Sequence, residues 1–132
     1  MDVKEWIDKE TAAFSRKFTK ELTNVETRVR RGAKLLDKKV PDWLDRVKLR
    51  VLRLESPSSC VLGQAFKDAI AGWNETGYEA GLEFLKLDDD RAADYGFTHC
   101  SVDSSEPTIF LGSNEEFDYL TKFWKAEIQR RK

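Results

Sequence analysis

Val3, Ile7, Phe14, Phe18, Leu22, Val25 and Val29 recur at spacings of three, four and seven, with charged residues between them. That is the apolar stripe of an amphipathic helix. The pattern continues to about Leu36, and Thr23 with Glu26 has the form of a capping box that would restart a helix. The helix either runs unbroken to about Leu36 or restarts near Thr23, and two helices, or one kinked helix, are the preferred expectation. A stripe of this length has to be covered by the rest of the domain or by a second copy of the chain, so a homodimer through the N-terminal helix is a further expectation.

Beyond it, Pro41 and Asp42 suit the first turn of a short helix running through Trp43 to Val47. Val47, Leu49, Val51, Leu52 and Leu54 then interleave with Lys48, Arg50 and Arg53, which predicts a short strand or extended segment over about 47–54. Ser56-Pro57-Ser58-Ser59 ends that pattern and opens a helix from about Cys60 through Val61, Leu62, Ala65, Phe66, Ala69 and Ile70 to Trp73. Tyr78, Leu82 and Leu85 share one helical face, closed by Leu87. A short helix from Asp89 ends at Tyr95-Gly96-Phe97, where Gly96 takes a left-handed conformation and Phe97 folds back. After a polar stretch, the apolar run 108–111 is a candidate second strand. A C-terminal helix follows, capped by Ser113 or Asn114, with Phe117, Leu120, Phe123, Trp124 and Ile128 as its stripe and Arg130-Arg131-Lys132 at its negative end. The fold class expected is mainly α, one small domain over 1–132, with one short strand pair from 47–54 and 108–111.

Size and composition agree with a folded domain. The chain has 132 residues, 40% of them hydrophobic, with four Trp and eight Phe, enough apolar surface for one core. Neither a membrane-length apolar run nor a basic, apolar leader is visible, and a cytoplasmic protein with reduced Cys60 and Cys100, Cys60 buried, is expected. Charge is uneven. Residues 28–53 hold ten Lys/Arg against three Asp, a balance of +7, whereas 74–106 hold nine Asp/Glu against two Lys/Arg, a balance of −7. Either the two segments pack together and neutralise each other, or the basic one faces an acidic partner.

Candidate chemistry is sparse. Asp88-Asp89-Asp90 with Asp94 lacks the alternating ligands, glycine and terminal acid of a calcium loop, and a helix N-terminus accounts for the acids. His99, the only histidine, adjoins Cys100, but neighbours on an extended chain point apart, which disfavours a base–nucleophile pair. No phosphate-binding glycine motif is present, so neither an enzyme nor a cofactor is expected. Gly63 suits close helix approach, and Gln64 beside it a hydrogen-bonding role. One feature carries a functional reading: Arg28, Arg30, Arg31, Lys34, Lys38 and Lys39 form a basic surface for a partner protein or for nucleic-acid phosphates, the alternative being an ordinary solvated face.

Arg31-Gly32-Ala33-Lys34-Leu35-Leu36-Asp37, Val40-Pro41-Asp42-Trp43 and Cys60-Val61-Leu62-Gly63-Gln64-Ala65-Phe66 resemble small accessory proteins of mycobacteriophages and other actinobacteriophages. The likeness continues through Gly77-Tyr78-Glu79-Ala80-Gly81-Leu82, Tyr95-Gly96-Phe97 and Tyr119-Leu120-Thr121-Lys122-Phe123-Trp124. It divides the chain into a family-like core over 31–128 and an amphipathic helical extension over 1–30. The resemblance implies a phage-type protein acting in the host cytoplasm by binding a host protein, in host takeover or counter-defence. A nucleic-acid-binding accessory protein using segment 28–53 is the alternative.

Overall fold

The computed structural model describes residues 15–69, 75–99 and 113–132, with side chains from Leu22 onward in the first stretch and from Glu115 in the last. Six α-helices are present among the described residues: α1 Ser15–Lys39, α2 Trp43–Arg46, α3 Val61–Ala65, α4 Gly77–Leu85, α5 Asp89–Asp94 and α6 Ser113–Arg131. Single 3₁₀ turns occupy Leu49–Val51 and Lys67–Ala69. The mainly helical expectation holds.

Helix α1 passes Thr23 without a break, so the expected restart does not occur. Thr23 is exposed, and Glu26 pairs instead with Arg30, one turn on, at 2.9 Å. Leu22, Val25, Val29, Ala33 and Leu36 are all buried against the rest of the fold. The boundary expected at residue 30 thus falls inside one helix whose buried positions on both sides belong to one core. The described part of the stripe assigned to a homodimer is covered by the protein's own chain, and the earlier part lies outside the described residues.

No strand occurs over 47–54. Val47, Lys48 and Leu52 are extended, but the chain turns through a 3₁₀ helix between them. The reason lies in side-chain pairing. The Lys48 N–H donates to Gln64 Oε1 at 2.7 Å, and Gln64 Nε2 donates to the Lys48 carbonyl at 3.3 Å and the Ser59 carbonyl at 2.8 Å. One amide side chain thereby satisfies the backbone groups that a neighbouring strand would otherwise take. Leu54 N–H donates to Thr121 Oγ1 at 3.1 Å, which ties this segment to α6. The other candidate strand, 108–111, lies outside the described residues.

The helix from Cys60 is shorter than the pattern predicts. It leaves α geometry at Phe66 (φ −110°, ψ 21°) and continues as a 3₁₀ turn to Ala69, beyond which Ile70 and Trp73 lie outside the described residues. Helices α3 and α4 approach backbone to backbone: a Cβ on Gly77 would stand 2.1 Å from the Gly63 carbonyl oxygen. Thr76 caps α4 by accepting from Glu79 N–H at 3.2 Å. At the end of α5, Gly96 has φ 71° and Phe97 N–H donates to the Ala92 carbonyl at 3.0 Å. This is the Schellman closure expected there, and Phe97 is buried.

An aromatic group centred on Trp124 joins these elements. Trp43 meets it edge-on with centroids 5.9 Å apart, Phe97 stacks at 5.6 Å, and its indole N–H donates to the Gly96 carbonyl at 2.6 Å. No described helix is long and apolar enough to cross a membrane.

Candidate interaction surface on helix α1

The six cations singled out in the sequence divide into three environments. Arg28 is inside the protein, 3% exposed. Its Nε donates to the Ala93 carbonyl at 2.6 Å, and its Nη2 donates to the Thr98 carbonyl at 2.9 Å and to Glu116 Oε2 at 2.8 Å. Glu116 is itself 1% exposed. Arg28 therefore does not belong to a basic surface; it is the clasp that holds the end of α5, the following turn and the first turn of α6 against α1. Its burial follows from a close approach. A Cβ on Gly32, one turn beyond Arg28, would lie 2.0 Å from the Tyr95 carbonyl oxygen, and one on Gly96 would lie 2.8 Å from Val29 N. The 95–96 turn presses directly on α1 and shuts water away from the guanidinium.

Arg30 is exposed but occupied. It pairs with Glu26 and lies 3.6 Å from Glu127 Oε1. Glu127, only 5% exposed, also receives Arg130 on Oε1 and Arg131 on Oε2. Arg131 goes on to Asp37 Oδ2 at 3.1 Å, whose other oxygen accepts the Trp43 indole N–H at 2.9 Å. Burial pushes the Asp37 carboxyl upward, but the bonds from Trp43 and Arg131 and the Arg131 charge outweigh it and hold it below the usual carboxylate range. The network fastens the last turns of α1 to the last turns of α6.

Arg31, Lys34, Lys38 and Lys39 are exposed and make no ion pair among the described residues. Arg31, Lys34 and Lys38 stand at i, i+3 and i+7, on one stripe about 10 Å long facing away from Val25, Val29 and Leu36, while Lys39 is offset from it. The described part of the acidic segment, 75–99, does not neutralise them. The ion pairs of 28–53 involve Glu26, Asp37, Asp42, Glu116, Glu127 and no carboxylate of 75–99. Glu79, Glu83, Asp88, Asp89, Asp90 and Asp94 are exposed on α4 and α5, so among the described residues the opposite charges remain separate on the folded surface.

The acidic run has a local explanation. Asp88 caps α5, accepting from Arg91 N–H at 2.8 Å, and Asp89 accepts from the Tyr78 hydroxyl at 3.2 Å. Among the described residues no group of His, Cys, Asp and Glu is placed to hold a metal ion. Cys60 is buried and caps α3, its Sγ accepting from Gly63 N–H at 3.2 Å. Burial pushes its thiol up to about 11, away from thiolate chemistry at neutral pH. The His99 ring lies 4.8 Å from that of Phe117, and Cys100 lies outside the described residues.

No protein-family model, no curated protein and no solved structure matches this chain, so the reading of this surface rests on its own geometry.

Proposed function

We propose that the chain is a non-enzymatic accessory protein that binds another protein through the outer face of α1, presenting Arg31, Lys34 and Lys38 to an acidic surface. The carrying observation is that these three cations lie on one stripe of an immobilised helix and have no carboxylate partner among the described residues. Burying one face of α1 and tying its end to α6 fixes the stripe in place, which lowers the ordering cost of binding. The resemblance to actinobacteriophage accessory proteins supplies the setting: a host protein as partner, in the host cytoplasm.

Nucleic acid is the second reading, favoured by the same stripe. Two observations weigh against it. Arg28 and Arg30 are withdrawn into ion pairs, which shrinks the cation row available to phosphates. The net charge of −1 and the exposed acids of α4 and α5 give no long-range attraction for a polyanion.

The test is affinity capture from an actinobacterial lysate, with and without nuclease, comparing the native chain with an Arg31→Ala/Lys34→Ala/Lys38→Ala variant. One stoichiometric protein that survives nuclease and is lost by the variant is the expected result. Capture that vanishes with nuclease would transfer the assignment to nucleic acid, and capture unchanged in the variant would remove α1 as the binding surface.

A further inference from the structure

Surface cations alone steer an encounter more than they hold it, since an exposed pair contributes only about 0.2–1 kcal/mol. A stable protein complex also needs at least one partner side chain inserted in a pocket. Next to the basic stripe there is such a pocket, between α1 and α6, with a volume of about 110 Å³. Val29, Phe123 and Ala126 form its apolar part, and Glu26, Arg30, Glu127 and Arg130 its polar part.

Its size selects the class of occupant. Small-molecule and cofactor sites span about 300–1,000 Å³, well above this volume, whereas a single side chain fits. Its hydrogen-bonding capacity selects the charge. A guanidinium carries five N–H donors. Arg30 directs Nη2 at Glu26 and Nε at Glu127, and Arg130 directs Nη2 at Glu127. Both oxygens of Glu127 are already taken, because Arg131 holds the second. Glu26 holds Arg30 through one oxygen and Glu127 is saturated, so the rim's free donors outnumber its free acceptors; the complementary group is an acceptor on an apolar stem, and the cations of the adjoining stripe favour an anionic one.

Resting on the proposed partner-binding role, we propose that this α1–α6 pocket is the anchor site of the interface, taking one carboxylate side chain of an acidic partner segment. The carboxylate sits between Arg30 and Arg130 and its methylenes lie on Val29, Phe123 and Ala126. Neighbouring acids of the same segment then lie along Arg31, Lys34 and Lys38.

The experiment uses the full chain and two probes, an octaglutamate peptide and a single-stranded DNA 20-mer. Each is titrated at low ionic strength and followed by amide and arginine Nε–H chemical shifts, for the native protein, Ala126→Leu and Ala126→Phe. Filling the pocket in this way leaves every charge in place. Octaglutamate is expected to shift Arg30, Ala126 and Arg130 together with Arg31, Lys34 and Lys38, and both variants are expected to weaken it at least five-fold with native-like spectra. If only the stripe shifts and both variants bind as tightly as the native chain, the pocket is not the anchor, although the stripe reading survives. If octaglutamate shifts neither region, the partner-binding reading falls with it. DNA moving the pocket where octaglutamate does not would overturn the acidic-protein occupant.

Discussion

Replacing Arg28 by Met tests whether this residue belongs to the inside of the protein or to a basic surface. The substitution keeps an unbranched stem and deletes the charge, leaving Glu116 at 1% exposure without its 2.8 Å partner. It also leaves the Ala93 and Thr98 carbonyls without the donors now at 2.6 and 2.9 Å. Removing one member of a buried ion pair costs about 3–5 kcal/mol, because the surviving charge stays out of water without that counter-ion. Domains of this kind have about 5–15 kcal/mol in total. With an unfolding entropy of about 2.1 cal/mol/K per residue, a 132-residue chain should lose about 11–18 °C in Tm. Thermal unfolding followed by circular dichroism, with urea titration at 25 °C, measures both quantities. Arg31→Met is the matched control and should change stability by less than about 0.5 kcal/mol, being exposed and unpaired. The double variant Arg28→Met/Glu116→Leu should recover part of the loss, since the buried carboxylate is removed as well, but not all of it, since the Ala93 and Thr98 carbonyls still lack the guanidinium donors. A cost below about 1 kcal/mol for Arg28→Met, or equal costs for Arg28→Met and Arg31→Met, would refute the buried clasp and return Arg28 to the surface.

Gly77→Ala places a methyl 2.1 Å from the Gly63 carbonyl oxygen, a contact with backbone that no rotamer relieves; a loss of about 2–4 kcal/mol in urea unfolding is expected, and a loss under about 0.5 kcal/mol would contradict the close crossing of α3 and α4. Because Asp37 is held below its usual carboxylate range, its contribution is present above the unfolded pKa of about 3.9 and lost as pH falls through the lower folded value. The stability gap between the native chain and Asp37→Asn should therefore be widest near neutrality and close in acid, and a gap independent of pH between about 2 and 7 would disprove the linkage. In a Cys100→Ala background, Cys60 should resist alkylation by iodoacetamide at pH 8 and react fully in urea, in keeping with its burial and a thiol pushed up to about 11; rapid native labelling read by mass spectrometry would show α3 to be open.

Periodicity made the two long helices legible, because an apolar stripe records which face a helix buries whatever buries it. Leu22, Val25 and Val29 on α1, and Leu120, Phe123, Trp124 and Ile128 on α6, are buried as their spacing requires. Local chemistry made the acids at the start of α5 and the left-handed Gly96 legible, since both act within a few residues of themselves. The strand expected over 47–54 failed for a non-local reason: its partner is the side chain of Gln64, sixteen residues from Lys48, and alternation cannot distinguish a strand from an extended segment bonded to an amide. The misplacement of Arg28 was non-local too, but it left a trace. Glu116 lies four residues before Leu120 and Glu127 four after Phe123, so both acids occupy the apolar register of α6. A carboxylate in that register requires a cation brought to it, buried in the case of Arg28 and reaching in from the surface in the case of Arg30 and Arg130. Gly32, one turn beyond Arg28, marks the side of α1 on which the backbone of another segment comes close.

Once Arg28 and Arg30 are paired, the remaining charge pattern bears on function more sharply than the net charge does. Neutralisation within the domain was the economical account of a +7 segment beside a −7 segment, and the fold had carboxylates within reach of α1 to achieve it. It spends Glu26, Asp37, Glu116 and Glu127 on Arg28, Arg30 and Arg131; the Arg28–Glu116, Arg30–Glu127 and Arg131–Asp37 pairs join α1 to α6, and Glu26–Arg30 and Glu127–Arg131 lie within one helix. Among the described residues it places none on Arg31, Lys34 or Lys38. Each internal carboxylate therefore acts where it fixes structure, and the outer stripe keeps its full charge on a helix that structure has immobilised. Like charges at i, i+3 and i+7 repel one another; Lys38 gains from the negative end of α1, where it stands in the last turn, whereas Arg31 and Lys34 have no such return, and theirs are the charges that the proposed acidic partner would meet.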